Sequence, residues 1–238
     1  MPTPPPSSPA AAGTSDVEVE TLTAVFQVRE MTADTDPVLC VLLGHDADGP
    51  WALPGGAVAA DATLETSARR AVADSVAIAN IAHLEQLAVF SDPHRLPGTR
   101  TIASTYLALV PSDVPTELPH ASAWHPVDAL PTLAFDHAEI VEAARHRLAA
   151  KLSYTNIAFA LAPSRFPMSQ LSEIYCAALG YAVDTTNLLR ILSRRAVVVA
   201  TGTVGKTGRS GGRPPALYAF ADTQLRVTDE FATLRPPM

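Results

Sequence analysis

Residues 51–62 read Trp-Ala-Leu-Pro-Gly-Gly-Ala-Val-Ala-Ala-Asp-Ala, and an alanine-rich stretch with a helical pattern continues from there to Ile78. The Leu-Pro-Gly-Gly segment follows a short apolar run, and its proline and paired glycines favour a turn between a strand and a helix. Thr63 is the predicted helix cap. The buried face of the helix is predicted to hold Leu64, Ala68, Ala71, Val72 and Ser75.

This segment resembles the Nudix box of metal-dependent diphosphate hydrolases, which is a Gly, five residues, a Glu, seven residues, then Arg-Glu-apolar-x-Glu-Glu-x-Gly-apolar. Nudix catalysis uses glutamates one helical turn apart, whose oxygens converge on Mg²⁺ bound to a diphosphate. Counted from Gly56, the scaffold positions match at Arg70, Val72 and Ile78, but the acidic and late glycine positions hold Ala62, Ala71, Asp74, Ser75 and Ala77. The sequence therefore predicts a nucleotide-binding site and no efficient hydrolase. No catalytic residue and no metal ligand is assigned, and Mg²⁺ is optional.

A register shifted back by one residue places Asp61 and Asp74 on glutamate positions, but it puts Arg70 where a glutamate is needed and so recovers little of the motif. Two other interpretations of the box stay open. An active hydrolase of ADP-ribose-like nucleoside diphosphates would use Asp61, Glu65 and Asp74 as an alternative metal site. Asp74 is otherwise an acidic residue on a solvated helix face.

Around the box, hydrophobic patterning predicts a mixed α/β domain. Strands are expected over residues 17–31, 37–43, 81–90 and 101–110, with a loop over 92–98 between the last two. A proline-punctuated connection over 111–131 leads into a helix that reaches Leu152, and its inward face holds Ile140, Ala144 and Leu148.

The C-terminal part has a different pattern. One helix opens at Met168 and ends at Gly180, and Asp184 caps a second helix with Leu188, Ile191 and Leu192 as its buried stripe. Strands are expected over 196–199 and 216–220, joined by a glycine-rich basic segment. Helix, turn, helix and a basic hairpin make the winged helix-turn-helix arrangement. The polar face of the second helix carries Asn187, Arg190 and Arg194, so this part is expected to bind double-stranded DNA.

Charge supports a division of the chain. The net charge is −7, but residues 151–238 contain 10 basic and 5 acidic residues. The excess of acidic residues therefore lies in residues 1–150. We predict a disordered arm over 1–16, a nucleotide-sensing domain over 17–150 and a DNA-binding domain over 151–238. The arm lacks the basic start and apolar block of a signal peptide, and no stretch is apolar enough to span a bilayer. Cys40 and Cys176 are expected to be buried free thiols of a cytoplasmic protein.

In order, these parts resemble the NrtR-type, Nudix-related transcriptional regulators of bacterial NAD metabolism. The resemblance is carried by Leu53-Pro54-Gly55-Gly56, Asp92-Pro93-His94-Arg95, Leu133-Ala134-Phe135-Asp136-His137, Tyr154-Thr155-Asn156, Asp184 to Asn187 and Gly212-Arg213-Pro214-Pro215. It implies a Nudix-like α/β/α sandwich with a C-terminal winged helix. It also implies a homodimeric repressor of NAD biosynthesis and metabolism genes that binds a palindromic operator and is controlled by ADP-ribose or a related NAD-derived nucleotide, with no required cofactor.

Two sets of candidate site residues follow. The effector is expected to contact Gly55, Gly56, Arg70, Asp92, Arg95, Asp136 and His137. DNA is expected to contact Thr186, Asn187, Arg190, Arg194, Arg195, Lys206, Arg209 and Arg213. A binder of nucleic acid that ignores base sequence is the alternative for the second set.

Overall fold

The computed structural model describes residues 17–32, 35–45, 49–75, 81–115, 118, 121–205 and 214–229. The expected arm over 1–16 and the wing residues Lys206, Arg209 and Arg213 lie outside that part. Six strands form one sheet: β1 (Val17–Arg29), β2 (Val38–Gly44), β3 (Gly55–Ala57), β4 (His83–Phe90), β5 (Arg100–Leu109) and β6 (Ser122–Pro126). Their order is β4-β5-β1-β2-β6, β3 also pairs with β1, and the β1–β5 pair is parallel.

Helices cover both faces of this sheet, since side chains alternate between faces along each strand. Val25 of β1 packs in a cluster with Val72 of α1 (Leu64–Ser75). Its neighbours Ala24 and Phe26 belong to the larger cluster with Ile140 of α2 (His137–Tyr154). The N-terminal part is therefore an α/β/α sandwich, as expected.

The C-terminal part is a winged helix. A second sheet has the order β7-β9-β8, from Phe166–Pro167, Ala216–Phe220 and Val198–Val204. Helix α3 (Met168–Leu179) ends at Gly180, whose φ of 76° suits glycine because it lacks a Cβ. Helix α4 (Thr185–Arg194) begins at Asp184, whose carboxylate accepts a hydrogen bond of 2.7 Å from the Asn187 amide. Both predicted helix ends are confirmed.

One core runs through both parts. The cluster that holds the inner face of α2 continues to Leu171 of α3 and Leu188 of α4. The domain boundary proposed between residues 150 and 151 falls inside α2, which is followed by a short 3₁₀ helix (Ile157–Ala160).

Buried Asn156 ties this junction to the C-terminal segment. Its amide nitrogen donates to the Asp222 and Gln224 carbonyls, at 3.2 and 2.9 Å, and its Oδ1 accepts from the Arg226 amide at 2.8 Å. These hydrogen bonds hold the segment that follows α2 to residues 222–226, which follow β9.

Some local expectations were wrong. The connection over 111–131 contains β6, which the prolines obscured and which pairs with β2. On α1 the buried positions include Ser67 and Ala68, whereas Leu64, the first residue of the helix, is exposed. Cys40 is buried, but Cys176 is only half-buried. No helix in the described part of the chain is both long and apolar enough to cross a membrane.

Candidate functional site

The Leu53–Gly56 turn is held from two sides. The Leu53 amide donates to His137 Nδ1 at 3.0 Å, and the Pro54 carbonyl accepts from the Thr23 amide at 2.8 Å. At Gly55 a Cβ atom would lie 2.3 Å from the Thr21 carbonyl oxygen, so only glycine lets β3 approach β1 this closely. Gly55 is therefore required by the close packing of β3 against β1.

Two adjoining cavities flank this turn and share Gly55 and Asp74. The larger, of about 540 Å³, falls in the size range of small-molecule sites. The smaller has a volume of about 150 Å³. The larger is lined by Gly44, His45, Gly49, Pro50, Ala52, Leu53, Pro54, Gly55, Asp74, Ala121, Ser122, Ala134 and Phe135. Together they form one cleft, which we call the box cleft.

The small cavity gathers the box residues that the sequence singles out. Gly55, Gly56 and Arg70 line it, together with Thr21, Ser67 and Asp74. Arg70 is exposed.

The residues of the box cleft do not fit a Nudix-type metal site. Mg²⁺ in proteins is bound by oxygen ligands that include carboxylates, and among the residues that the structure describes Asp74 is the one carboxylate lining either cavity of the cleft. The described residues contain no group of three or more His, Cys, Asp or Glu that could hold a metal ion. The alternative set is not assembled either, because Glu65 pairs with Arg69 at 2.9 Å and Asp61 lines neither cavity.

Arg95 lies at the centre of a buried ion cluster. Its Nε and Nη2 donate to the two carboxylate oxygens of Asp136, each at 2.8 Å, and its Nη1 donates to Glu20 at 2.5 Å. The side chain is 2% exposed. Burial alone lowers the pKa of Arg95, but the hydrogen bonds to Asp136 and Glu20 raise it, so the guanidinium stays charged.

These contacts favour a positioning role for Arg95 and Asp136 over direct contact with a ligand. The cluster joins loop 92–98, β1 and the start of α2. Of these elements β1 lines the box cleft, through Thr21. Asp92 is exposed, and its carboxylate accepts from the His94 amide at 2.7 Å, which makes it a turn residue.

His137 is a buried hydrogen-bond acceptor. Burial lowers its pKa to about 4; the Asp136 charge opposes that shift and the Arg95 charge adds to it. A neutral ring is required, because Nδ1 must carry a lone pair to accept from Leu53. His137 is the first residue of α2, and its hydrogen bond to Leu53 therefore connects this helix to the Leu53–Gly56 turn.

Phe135 is a cleft residue that the sequence did not identify. Its side chain is 60% exposed, it borders the large cavity, and its φ is 45°. A positive φ is unfavourable for a bulky residue and is found mostly where the surrounding structure enforces it. The sequence carries no signal for this conformation.

The second candidate set lies on α4. Thr186, Asn187, Arg190 and Arg194 are exposed, whereas Leu188 and Leu192 are buried, so the helix presents a polar face to solvent. Arg190 donates to the Asn187 side-chain oxygen at 2.6 Å, which aligns the two residues.

Arg195 has a different environment. It pairs with Asp229 at 2.5 Å and donates to the Ser153 carbonyl at 3.1 Å, at the junction with α2. This pairing favours a structural role. The remaining candidates, Lys206, Arg209 and Arg213, lie outside the described residues.

A third cavity, of about 440 Å³, is separate from the cleft. It lies between the ends of β1 and β2 and helix α3, and it contains none of the motif residues.

Comparisons with known proteins match both parts of the chain. Residues 23–144 match the NUDIX domain model, and residues 158–220 match the model of the NrtR DNA-binding winged helix domain. An ADPR-responsive transcriptional repressor of Acinetobacter baylyi is 33% identical over 181 residues, which are 72% of this chain and 70% of that protein.

Solved structures agree. The NrtR of Shewanella oneidensis, crystallised with a 27mer DNA, has a TM-score of 0.69 and 25% identity, over 85% of this chain and 93% of that one. A MutT/nudix family protein of Enterococcus faecalis shares the fold, with a TM-score of 0.68 and 21% identity over 88% of this chain and 90% of that one. The chain therefore belongs to the NrtR family, with a NUDIX domain followed by an NrtR-type winged helix domain.

Proposed function

We propose that this protein is a DNA-binding repressor of genes for NAD biosynthesis and metabolism, and that ADP-ribose or a related NAD-derived nucleotide controls it. The observation that carries the proposal is the joining of two sites in one chain. The nucleotide-sized cleft has no carboxylate cluster among its described residues, and it is followed by a capped helix that exposes Asn187, Arg190 and Arg194. The relative from Acinetobacter baylyi is a repressor that responds to ADPR.

The nucleotide is assigned to the box cleft. Arg70 and the Gly55–Gly56 backbone border the small cavity, and Phe135 offers an exposed ring at the large one. Exposed aromatic rings stack on bases, and guanidinium groups bind phosphate oxygens. The cleft can thus bind both the base and the phosphates of a nucleoside diphosphate.

The chain senses this nucleotide and does not hydrolyse it efficiently. Hydrolysis in Nudix enzymes depends on carboxylates that hold the metal and its water. Here Ala62 and Ala71 replace two of them, and the remaining Asp74 is a single ligand.

DNA is assigned to α4 and the basic wing, in a homodimer that faces a palindromic operator. A two-fold dimer places its recognition helices about 34 Å apart, or a multiple of that distance. Helix α2 links the sites, since it starts at the cleft with His137 and its 18 residues extend about 27 Å toward the winged helix. Nucleotide binding would move the dimer toward a spacing that no longer fits the operator, provided that the nucleotide prefers the DNA-free form.

A mobility-shift assay with the full chain tests this function. The probe is a duplex from the region upstream of its own gene, with random duplex as competitor and with ADP-ribose or NAD added. We expect a specific complex that ADP-ribose dissociates. If random duplex competes as well as the probe, the protein is a sequence-indifferent binder and the proposal is wrong.

Arg190→Ala is expected to weaken operator binding at least tenfold and leave ADP-ribose affinity unchanged. Arg69→Ala is the matched control, because Arg69 is exposed on α1 and paired with Glu65. Release of AMP from ADP-ribose with Mg²⁺, at about 1 per second or faster, would instead identify a hydrolase.

A further inference from the structure

The small cavity of the box cleft has lost the charge that a metal ion would need. Among the described residues that line it, Arg70 is the basic one and Asp74 the acidic one, so their formal charges balance. In a Nudix box with all its glutamates the surplus of negative charge repels a diphosphate until divalent cations bind. A balanced cavity does not need the cation.

We propose that this protein binds the diphosphate of its nucleotide directly, through the Arg70 guanidinium and without a divalent cation. The proposal rests on the function proposed above and assigns the chemistry of recognition in the same cleft. Asp74, a remnant of the metal site, then opposes binding.

Arg70 is available for this contact. Its neighbour Arg69 donates to Glu65 through Nε and Nη2, at 3.0 and 2.9 Å. Arg70 has neither a salt bridge nor a side-chain hydrogen bond to any part of the chain that the structure describes, and it lines the cavity. A guanidinium can form two parallel hydrogen bonds to phosphate oxygens.

A buried hydroxyl group points to a ligand in the same place. Thr21 is 1% exposed, lines the cavity, and its Oγ1 has no hydrogen-bond partner among the described residues. Buried hydroxyls are nearly always hydrogen-bonded, because leaving one unpaired is unfavourable. A phosphate oxygen would accept from Thr21, and Ser67, also buried, supplies a second hydroxyl to the cavity.

The test measures ADP-ribose binding to the full chain by calorimetry, in EDTA and in Mg²⁺. We expect dissociation constants that agree within about twofold between the two conditions. Arg70→Ala weakens binding roughly 10- to 100-fold, as the loss of a hydrogen-bonded charge does. Arg69→Ala, one residue away and outside the cavity, leaves binding unchanged.

Asp74→Asn has opposite effects under the two mechanisms. Without a metal the variant removes a like charge near the diphosphate and tightens binding about fivefold, the size of the Coulomb interaction between two unit charges about 4 Å apart in water. With a bound metal it removes a ligand and weakens binding. Asp61→Asn is the matched control, since Asp61 lines neither cavity.

Thr21→Val keeps the shape of the side chain and tests the buried hydroxyl. We expect binding to weaken about threefold to tenfold while the protein stays folded.

The outcomes separate the two proposals. Binding that needs Mg²⁺ by more than tenfold, or that weakens in Asp74→Asn, overturns metal-free recognition and leaves the sensor function intact. Absence of ADP-ribose binding in both conditions overturns the sensor function and metal-free recognition together. Equal binding with and without Mg²⁺ but unchanged in Arg70→Ala also overturns the role of Arg70.

Discussion

Arg95→Met tests whether the ion cluster beside the cleft is structural. The variant keeps most of the aliphatic stem but removes the guanidinium, and it leaves the carboxylates of Glu20 and Asp136 facing each other without a cation. Removal of one partner from a buried ion pair destabilises a protein by about 3–5 kcal/mol. Solvent screening does not reduce this value much, because the side chain is 2% exposed. The loss is a large fraction of a typical unfolding free energy of about 5–15 kcal/mol.

Urea denaturation followed by fluorescence of the two tryptophans measures this change. With a slope of about 2–3 kcal/mol per molar urea, the midpoint is expected to fall by about 1–2 M. Adding Asp136→Asn should recover part of the loss, because it removes one uncompensated charge. Arg100→Met is the control: this side chain donates one exposed hydrogen bond, to the Asp92 carbonyl, and its loss should change stability by less than about 1 kcal/mol.

A structural role for Arg95 is wrong if the free energy of unfolding of Arg95→Met stays within about 1 kcal/mol of the unaltered protein and ADP-ribose binds more than tenfold more weakly. That pair of results would assign Arg95 to direct contact with the nucleotide, as the sequence alone suggested.

Three further predictions concern other parts of the cleft and the junction. Phe135→Ala should weaken ADP-ribose binding about tenfold, the scale of a base–aromatic stack, with a stability change within about 1 kcal/mol because the ring is exposed. In the folded protein the pKa of His137 is about 4, below its ordinary value of about 6.5, so the unfolded chain binds its proton first as the pH falls. The free energy of unfolding should therefore drop by roughly 3 kcal/mol between pH 6.5 and 4, and denaturation of His137→Gln should show a much smaller pH dependence over that range. Asn156→Ala should lower the unfolding free energy by about 2–4 kcal/mol, since it leaves buried backbone groups of residues 222–226 unpaired; unchanged resistance of the C-terminal segment to proteolysis would contradict it.

Local signals in the sequence were sufficient for most of the elements. Asp184 and Gly180 mark helix ends because capping depends on a side chain and a φ angle within a few residues. The Leu53–Gly56 turn followed by a helix indicated the Nudix frame for the same reason. Where local signals were masked, prediction was wrong: β6 lies in a proline-punctuated stretch, and its pairing with β2 is visible only in the folded sheet.

The candidate site was only partly predictable. Arg70 and the glycines were identified from spacing, and the structure places them around one cavity. The contribution of Phe135 and Thr21 was not identified, because a positive φ and an unpaired buried hydroxyl belong to the packed chain.

The sequence by itself determined the order of most elements, the missing carboxylates of the box and the basic face of α4, because each depends on residue types at short spacing. Only the tertiary structure decided which charges are free. Arg95 is neutralised by partners 75 and 41 residues away in the chain, whereas Arg70 has no such partner among the described residues. Ion pairing depends on distances of a few ångströms, and the pairing of distant segments sets those distances.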